Sequence, residues 1–374
     1  MTKTYRQCTR CVMDTTDPDI VFDAEGHCNH CNEFYNNIQK DVYDGERSDQ
    51  QLKTIVTNIQ KAGQGKKYDC LVGISGGVDS CYTAYLCKKL GLRPLLLHLD
   101  NGWDSEIAVR NIKNVAQKLG LDYMSYVMDW EEFKQIQLAF LRSSIVDIEI
   151  PTDIAIPASL HEVAAKNGIK YLISGGNYTS EGILPRQWGY HVMKDMKLYD
   201  HIVKTYGTVK RKKVPAIGFL GESYYKFVKG IKTIYILNYV PYNKDEARKF
   251  LETELGWQYY GGKHYESRYT GFWQSYMLPV KWNIDYRLAT YSTQICAGQL
   301  TRDEALKLLE NPSYDESKVA EDKQFICKKL GISLEEFDRI MAMPPKTYKD
   351  FPNDEKRIER IYRIYRKLFP NKRL

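Results

Sequence analysis

Four cysteines near the start of the chain have the spacing of a metal site. Cys8 and Cys11 form one C-x2-C pair, and Cys28 and Cys31 form a second pair after sixteen intervening residues. Two such pairs can aim four thiolates at one ion and complete a tetrahedron around it. Because that ion would have no open position, we predict a structural zinc site. A redox pair or an iron–sulfur cluster is the alternative.

A second group of residues predicts an anion-binding turn. The run Ser-Gly-Gly-Val-Asp-Ser follows a short apolar strand and opens a helix. Two glycines let the backbone approach a phosphate closely, and the first N–H groups of a helix are unsatisfied donors. The pattern is not that of an ordinary P-loop, G-x-x-x-x-G-K-S/T. We assign nucleotide binding to Ser75, Gly76, Gly77, Val78, Asp79 and Ser80, and expect Asp79 to cap the helix or to hold Mg²⁺.

Strands and helices alternate around this turn. Short apolar runs bounded by turn residues predict buried strands, and the segments between them have helical periodicity and end at glycines. This alternation predicts an α/β fold with a doubly wound, mainly parallel sheet covered on both faces. The predicted strands are 69–74, 93–99, 123–128, 169–173 and 232–238, and the predicted helices include 79–90, 104–119, 131–144 and 157–167.

Polar residues follow two other predicted strands. Asp100 comes after the second strand, and Gly175 and Asn177 come after the fourth. Ligands of such sheets bind outside the carboxyl ends of the strands. We therefore expect these three residues to contact the nucleotide.

The pattern divides the chain into three parts. Residues 1–45 form a zinc-binding segment with a helical connector to residue 66, and residues 67–244 form the sheet domain. Within it, 182–231 is too long for a plain connection and is interpreted as an excursion over the mouth of the sheet. Residues 245–374 are predicted to form a helical carboxyl-terminal domain.

Composition excludes several classes of protein. Of the 374 residues, 43% are hydrophobic and 27% charged, as in a soluble globular chain. No stretch reaches the roughly 18 apolar residues of a membrane span, and the polar start predicts a cytoplasmic protein without an export signal. Positive charge is concentrated in 192–232, with ten Lys and Arg against three acidic residues. Such a patch attracts anions.

The phosphate turn carries a resemblance. Ser-Gly-Gly-Val-Asp-Ser after a strand resembles the signature of the PP-loop ATP pyrophosphatases. The resemblance implies that ATP is cleaved between its α and β phosphates. An oxygen of the substrate is adenylylated, pyrophosphate leaves, and a nucleophile then displaces AMP.

Within that superfamily the chain resembles the N-acetyl sugar amidotransferases of bacterial surface polysaccharide (lipopolysaccharide and O-antigen) synthesis. The cysteine pairs, the helical carboxyl part and the stretches 151–153, 281–287 and 298–306 carry the likeness. The family converts an acetamido group of a sugar to an acetamidino group. The resemblance implies ATP, Mg²⁺ and structural Zn²⁺ as cofactors.

That chemistry gives further residues candidate roles. Asp79 is the first catalytic candidate, at the phosphate turn. Lys281 and Arg287 are assigned to the departing pyrophosphate or to an anionic sugar nucleotide, and Asp153 or Glu181 to orienting ammonia or the metal. Positioning and charge stabilisation should dominate, because no covalent attack by the protein is needed.

The predicted partner is a separate glutaminase that supplies ammonia. Residue 2 is Thr, not the cysteine of an amino-terminal glutaminase, and about 60 residues precede the sheet, too few for a glutaminase domain. Its docking surface is predicted on 192–232 or on the helix Asp354–Phe369, whose Ile358, Ile361, Tyr362, Tyr365 and Leu368 recur at helical spacing.

Two alternatives remain open. Some tRNA-thiolating PP-loop enzymes also carry amino-terminal zinc knuckles, and basic patches suit tRNA. Those enzymes usually need cysteines at the active site, and no C-x2-C follows Cys31, so nucleic acid is not the expected partner. The other alternative is a non-catalytic zinc-dependent adaptor that binds ATP only as a structural ligand.

Overall fold

The computed structural model describes residues 4–189, 194–261 and 265–368. The chain starts with the cysteine segment, and its second cysteine pair leads into helix α1 (Asn29–Asn36). A 3-10 turn at Ile38–Asp41 and helix α2 (Glu46–Ala62) complete the connector to the sheet. The connector is therefore helical, as predicted, but is broken into three pieces.

Five strands form one parallel sheet. They are β1 (Cys70–Gly73), β2 (Pro94–Asp100), β3 (Tyr123–Val127), β4 (Tyr171–Ser174) and β5 (Lys232–Tyr235). Their order is β3-β2-β1-β4-β5, so the winding direction reverses between β1 and β4. The predicted doubly wound α/β fold is confirmed. The last strand is shorter than predicted, because Ile236–Tyr239 turns into a 3-10 helix.

The three inner strands β1, β2 and β4 are buried on both faces, which explains their apolar sequences, whereas the edge strands β3 and β5 are largely exposed. In β1, Cys70 and Val72 enter one core and Leu71 enters the opposite one. The first core contains residues of α3 (Val78–Lys89) and α4 (Glu106–Leu119). Helix α5 (Trp130–Ser143) belongs to a third core, described below, and α6 (Ile150–Lys166) covers the second.

Helix α6 differs from its prediction. Pro157 was expected in the first turn, whereas the helix begins seven residues earlier with Pro151 at its start and Pro157 inside it. A proline in a helix interior costs a hydrogen bond. The longer helix nevertheless buries Ile150, Ile154 and Ala155 in the core, which offsets that loss. The earlier start places Asp153 on the helix.

The excursion 182–231 follows α7 (Tyr178–Glu181) and lies partly over the ends of the strands. It contains α8 (Met196–Tyr206), α9 (Phe219–Ser223) and a π-helical turn at Tyr224–Val228. Helix α8 packs on α5, with the rings of Tyr199 and Phe140 5.5 Å apart.

The carboxyl-terminal part is helical, as the sequence predicts. It contains α10 (Lys244–Leu255), α11 (Arg268–Phe272), a π-helix at Trp273–Trp282, α12 (Tyr286–Cys296), α13 (Arg302–Leu309), α14 (Glu316–Leu330), α15 (Leu334–Ala342), a 3-10 turn at Tyr348–Asp350 and α16 (Glu355–Leu368). Helix α10 packs on the sheet core through Leu251 and Leu255. The helices from α11 onward share the third core with the four cysteines and α5. Over the described residues, no helix combines the length and apolarity needed to cross a bilayer.

Candidate functional site

The predicted phosphate turn links β1 to the amino terminus of α3. The Ser80 hydroxyl accepts from Ser75 N at 3.1 Å and donates to Gly77 O at 3.1 Å, and the two serine hydroxyls lie 3.2 Å apart. These bonds close the turn on itself, and α3 begins at Val78. The turn therefore fixes the position of the first N–H groups of α3, and its glycines leave space beside them. An anion-binding site requires both.

At two positions of the site, backbone atoms come so close that only glycine fits. Gly76 has a φ of +85°, and a Cβ there would lie 2.6 Å from Ala108 O. Trp257 Nε1 donates to Gly76 O at 2.8 Å and holds the turn from the other side. A Cβ on Gly175 would lie 2.9 Å from the Asp79 carbonyl carbon. The end of β4 thus lies directly against the phosphate turn.

Asp79 is held by three side chains from other elements. Its Oδ1 accepts from Tyr242 OH at 2.6 Å and from Asn177 Nδ2 at 3.2 Å, and its Oδ2 lies 2.8 Å from Lys244 Nζ. Burial would lower the pKa of Lys244, but the charge and hydrogen bond of Asp79, together with the charges of Glu181 and Glu266, raise it. The structure therefore brings together Asp79 and Asn177, and it adds two groups that sequence reasoning missed. Tyr242 and Lys244 follow the fifth strand, so a search of every strand end for polar residues would have found them.

A cavity of 580 Å³ opens in front of the phosphate turn; we call it the turn cavity. Three cationic side chains line it, Lys244, Arg248 and Arg287, together with five carboxylates, Asp79, Glu181, Asp245, Glu266 and Asp285. The Arg287 guanidinium forms three hydrogen bonds to Asp285, the shortest at 2.7 Å, and donates to Asn311 O at 2.8 Å. Glycine backbone, hydroxyls and cations facing one space form a site suited to a polyphosphate.

A larger cavity of 810 Å³ meets the turn cavity at Ser75, Gly175 and Glu181; we call it the acid cavity. His98, at the end of β2, lines it and donates to Asp104 Oδ2 and to Ile74 O, each at 3.1 Å. Burial alone would lower the pKa of His98, but the hydrogen bond and charge of Asp104 raise it. Both ring nitrogens thus have acceptors, which favours the charged imidazole.

Carboxylates are gathered in the acid cavity. Asp147, Glu149, Asp153 and Glu181 line it from α6, α7 and the loop before α6. Burial raises the pKa of Glu149 to about 7, although Thr270 Oγ1 donates to it at 2.9 Å. Burial also raises the pKa of Asp153 well above its usual value, and the neighbouring carboxylates add to the shift. The two predicted acids Asp153 and Glu181 therefore face one space.

Four predicted residues line neither cavity. Gly76 and Asn177 belong to the packing of the phosphate turn, through Trp257 and Asp79, whereas Asp100 and Lys281 have other partners. Asp100 uses its Oδ1 to accept from Gly102 N at 2.9 Å, so it shapes the turn after β2, while Asn101 lines the acid cavity instead. Lys281 lies on the π-helix and donates to Ile340 O at the end of α15. Burial, with help from Lys346, lowers the pKa of Lys281 to about 8. Tertiary packing thus turns the Lys281 side chain into the helical domain.

The four amino-terminal cysteines converge on one point. All four are fully buried, and their Sγ atoms lie within 4.8 Å of one another. Cys8 and Cys31 Sγ are 3.8 Å apart, and Cys11 and Cys28 Sγ are 3.5 Å apart. Four thiolates about 2.3 Å from a zinc ion would be about 3.8 Å apart, so the donor set fits one tetrahedral ion. An iron–sulfur cube separates its thiolates further, because each binds a different iron.

The cysteine segment is docked on the carboxyl-terminal helices. Arg302 donates to the carbonyl oxygens of Cys8 and Cys11, each at 3.1 Å, and Val12 N donates to Ser292 Oγ at 3.2 Å. Peptide carbonyls and amides of the first cysteine pair therefore find partners almost 300 residues away along the chain. The segment belongs to the carboxyl-terminal core and is not a separate unit.

Two family models match different parts of the chain. Residues 266–368 match the family model described as LPS biosynthesis protein WbpG-like, C-terminal domain, and residues 49–143 match the NAD synthase model. The chain combines a PP-loop domain with a WbpG-like carboxyl-terminal domain. The predicted kinship with PP-loop proteins of surface polysaccharide synthesis is confirmed at this level, and the matches support an ATP-utilising enzyme.

Relatives of this PP-loop protein are distant. The uncharacterized protein MJ1599 of Methanocaldococcus jannaschii is 24% identical over 273 residues, which are 71% of this chain and 80% of that protein. The tRNA(Ile)-lysidine synthase of Chlamydia pneumoniae is 30% identical over 88 residues, 23% of this chain and 26% of that enzyme.

Solved structures also resemble this PP-loop protein distantly. The U34-tRNA thiolase NcsA of Methanococcus maripaludis, with its iron–sulfur cluster, is similar with a TM-score of 0.33 and 16% identity over 84% of this chain and 95% of that one. The NH3-dependent NAD synthetase of Campylobacter jejuni is similar with a TM-score of 0.28 and 17% identity over 55% of this chain and 84% of that one.

Proposed function

We propose that this protein is an ATP-dependent amidotransferase acting on an N-acetylated nucleotide sugar. It adenylylates the acetamido oxygen and lets ammonia displace AMP, giving an acetamidino sugar for a surface polysaccharide. The observation that carries the proposal is the meeting of two cavities at Ser75 and Gly175, one containing the phosphate turn with Lys244 and Arg287 and the other lined mainly by carboxylates. The WbpG-like domain supports a sugar of surface polysaccharide synthesis as the substrate class.

The turn cavity is assigned to the triphosphate of ATP. Backbone N–H groups at the start of α3 and the hydroxyls of Ser75 and Ser80 face the β and γ phosphates, which leave as pyrophosphate. Lys244 and Arg287 line the same cavity and would stabilise the charge that develops on pyrophosphate. Mg²⁺, bound with ATP, would neutralise part of the phosphate charge. The groups at the β2 end, His98 and Asn101, are left for the nucleoside.

The acid cavity is assigned to the sugar and the nucleophile. Its volume of 810 Å³ has to accommodate the ATP nucleoside at the end of β2 as well as the sugar. Arg186 and Lys194, from the excursion, line it and would contact the anionic diphosphate. An amide carbonyl is a poor electrophile, and AMP on its oxygen creates a good leaving group. The chain then has to hold the acetamido oxygen next to the α phosphate, where the two cavities meet.

The cysteine site is assigned to structural zinc. The sulfur geometry fits one tetrahedral ion and leaves no position for substrate. None of the four cysteines lines either cavity. Zinc would instead stabilise the docking of the amino-terminal segment on α12 and α13.

Ammonia is assigned to a separate glutaminase, and the reaction to the cytoplasm, where ATP is available. An apolar patch supports docking at the excursion: Leu220, Phe227 and Val228 are 76%, 57% and 69% exposed. Ile217 and Glu222, from the same segment, line the acid cavity, so a partner here would sit at its rim. The other predicted surface, α16, buries Ile358, and Tyr362 packs edge-on to Phe219. Phe369 and the side chains of Tyr365 and Leu368 lie outside the described residues.

The proposal is tested with purified protein, ATP, Mg²⁺, ammonium chloride and candidate acetamido nucleotide sugars. Mass spectrometry should find the product in which one oxygen is replaced by NH, and the nucleotide product should be AMP. Reactions without sugar or without ammonium are the controls. ADP as the product would contradict the PP-loop mechanism, and AMP without an amidino sugar would contradict the substrate.

A tRNA-thiolating enzyme is the second candidate, supported by the basic excursion. Among the described residues, however, no cysteine lines either cavity, and Cys81 and Cys87 are fully buried in the sheet core. No cysteine thiol of the described residues can therefore carry sulfur in either cavity unless the structure rearranges. Incubation with unmodified tRNA and a sulfur donor separates the two: thiolated tRNA would replace the amidotransferase proposal. An adaptor without catalysis would produce no AMP under either condition.

A further inference from the structure

One carboxylate in the acid cavity is buried without a complete set of partners. Glu149 is 5% exposed, and its Oε1 has no hydrogen-bond partner among the described residues, whereas Oε2 accepts from Thr270. The hydroxyl of Thr152, which lines the same cavity and helps to lower the pKa of Glu149, is also without a partner there. Leaving a buried carboxylate oxygen without a donor is costly. The cost is removed if a ligand that carries N–H or O–H donors, and preferably a positive charge, occupies the cavity.

A second buried group has an open position in the same cavity. Ser180 is 2% exposed, its Oγ has no partner among the described residues, and it lines the acid cavity from α7. The charges of Asp147 and Glu181 act on this part of the cavity as well. The cavity wall is therefore anionic, and one of its carboxylate oxygens and one of its hydroxyls have no hydrogen-bond partner. Such a wall can bind a small cation that carries several N–H donors.

We propose that Glu149, with Ser180 and the adjoining carboxylates, forms an ammonium site that delivers ammonia to the activated sugar. The inference rests on the proposed function and adds the binding site of its nucleophile. Ammonium has no lone pair, so it gives one proton to a carboxylate of the site and becomes neutral ammonia. Ammonia then attacks the adenylylated carbon, AMP leaves with the former amide oxygen, and the new nitrogen stays on the sugar.

Glu149 is suited to receive that proton. Its pKa, raised by burial to about 7, makes it a stronger base than an exposed glutamate while it is still ionised near neutral pH. The geometry agrees, because Glu149 shares the cavity with Ser75 of the phosphate turn. Ammonia released there is already inside the space where the leaving group forms.

The test compares two nucleophiles at neutral pH with full-length protein. Ammonium is charged and needs the site, whereas hydroxylamine is neutral and does not. Glu149→Gln should raise the KM for ammonium about tenfold or more, the loss expected for a charged hydrogen bond, and leave turnover with hydroxylamine within about twofold. Glu162→Gln is the matched control: Glu162 is partly exposed on α6, pairs with Lys166 and does not line the cavity.

A binding measurement without turnover gives an independent readout. Ammonium chloride should raise the Tm of the wild type more than tetramethylammonium chloride at equal concentration, because the larger ion has no N–H donors. Glu149→Gln should remove that difference. The same measurement with magnesium chloride tests whether Glu149 binds the other cation of the reaction. The inference would be overturned if magnesium, but not ammonium, raised the Tm of the wild type and lost that effect in Glu149→Gln.

The remaining outcomes are also decisive. Equal loss of turnover with both nucleophiles in Glu149→Gln would mean that Glu149 supports the sugar or the fold, and would overturn the ammonium site. An unchanged KM for ammonium would overturn it as well. A wild type that forms no substituted sugar with either nucleophile would refute the proposed function itself, which is a different result from a selective loss with ammonium.

Discussion

Lys244 Nζ lies 2.8 Å from Asp79 Oδ2, and the two residues are 165 positions apart in the chain. Asp79 stands at the phosphate turn, and Lys244 opens the helix that follows β5. The pair therefore ties the first and last strands of the sheet together at the mouth of the turn cavity. The Asp79 carboxylate also fixes the Lys244 ammonium group beside the phosphate turn.

The first prediction concerns this pair. Lys244→Ala should lower the rate of AMP formation about 100-fold, because it removes a preorganised cation from the developing pyrophosphate. Lys244→Arg should retain part of the rate. Lys249→Ala, at an exposed position of the same helix, is the control and should leave the rate unchanged. Circular dichroism checks the fold, and a full rate in Lys244→Ala would exclude it from the phosphate site.

The second prediction compares two glycines in left-handed conformations. Gly76 has a φ of +85° and Gly65 of +74°, but only at Gly76 would a Cβ meet backbone, whereas Gly65 has open space. Both alanine variants carry roughly 1–2 kcal/mol of backbone strain. Gly76→Ala should lose a further 1–3 kcal/mol or so of unfolding free energy, because its Cβ overpacks against Ala108. This variant should also stop forming AMP. Similar urea midpoints for the two variants would show that the Ala108 contact relaxes freely.

The third prediction concerns the cysteine site. Cys8→Ser should remove the bound ion and release the amino-terminal segment, because the thiolate set then has only three members. Cys327→Ser replaces another buried cysteine outside the site and should keep the ion. Elemental analysis should find one zinc per wild-type chain; iron, or no metal, would refute the assignment.

The fourth prediction follows from the same segment. Arg302→Ala should keep the ion but loosen the segment, because the carbonyl oxygens of Cys8 and Cys11 lose their donor. The expected loss is about 1–3 kcal/mol of unfolding free energy. Limited proteolysis should then cut before residue 60 more readily than in the wild type. Unchanged proteolysis would mean that the thiolate site alone holds the segment.

The fifth prediction is a pH dependence of stability. Burial raises the pKa of Glu149 from 4.5 to about 7. Between these values the folded protein keeps a proton that the unfolded chain has lost, so the unfolding free energy falls as pH rises. Above pH 7 the penalty is complete, about 3 kcal/mol. Without ligands, Glu149→Gln should therefore be more stable than wild type at pH 8 and lose that advantage towards pH 4.5. Urea denaturation at the two pH values measures it, and a constant difference would contradict the assignment.

The PP-loop half of the molecule is largely readable from the sequence. The strand positions, the parallel sheet and the phosphate turn follow from local signals: apolar runs, glycines at positive φ and the start of a helix. The four cysteines are equally local, because two short pairs already set most of the sulfur geometry. In each case the residues that make the feature are neighbours in the chain, or belong to elements whose order the fold class dictates.

Tertiary structure decided which distant residues share a space. Lys244 and Tyr242 reach Asp79 only because β5 lies beside β4 in the sheet. Glu149 lines the acid cavity because α6 starts earlier than its prolines suggest. The helix can start there because burial of Ile150 and Ile154 outweighs the cost of placing Pro157 in the helix interior. Lys281 lies in a stretch that resembles the amidotransferase family, but its ammonium group donates to the Ile340 carbonyl, so it does not line either cavity. A local pattern records which chemistry a side chain carries, but packing free energy, summed over the whole core, fixes where that side chain points.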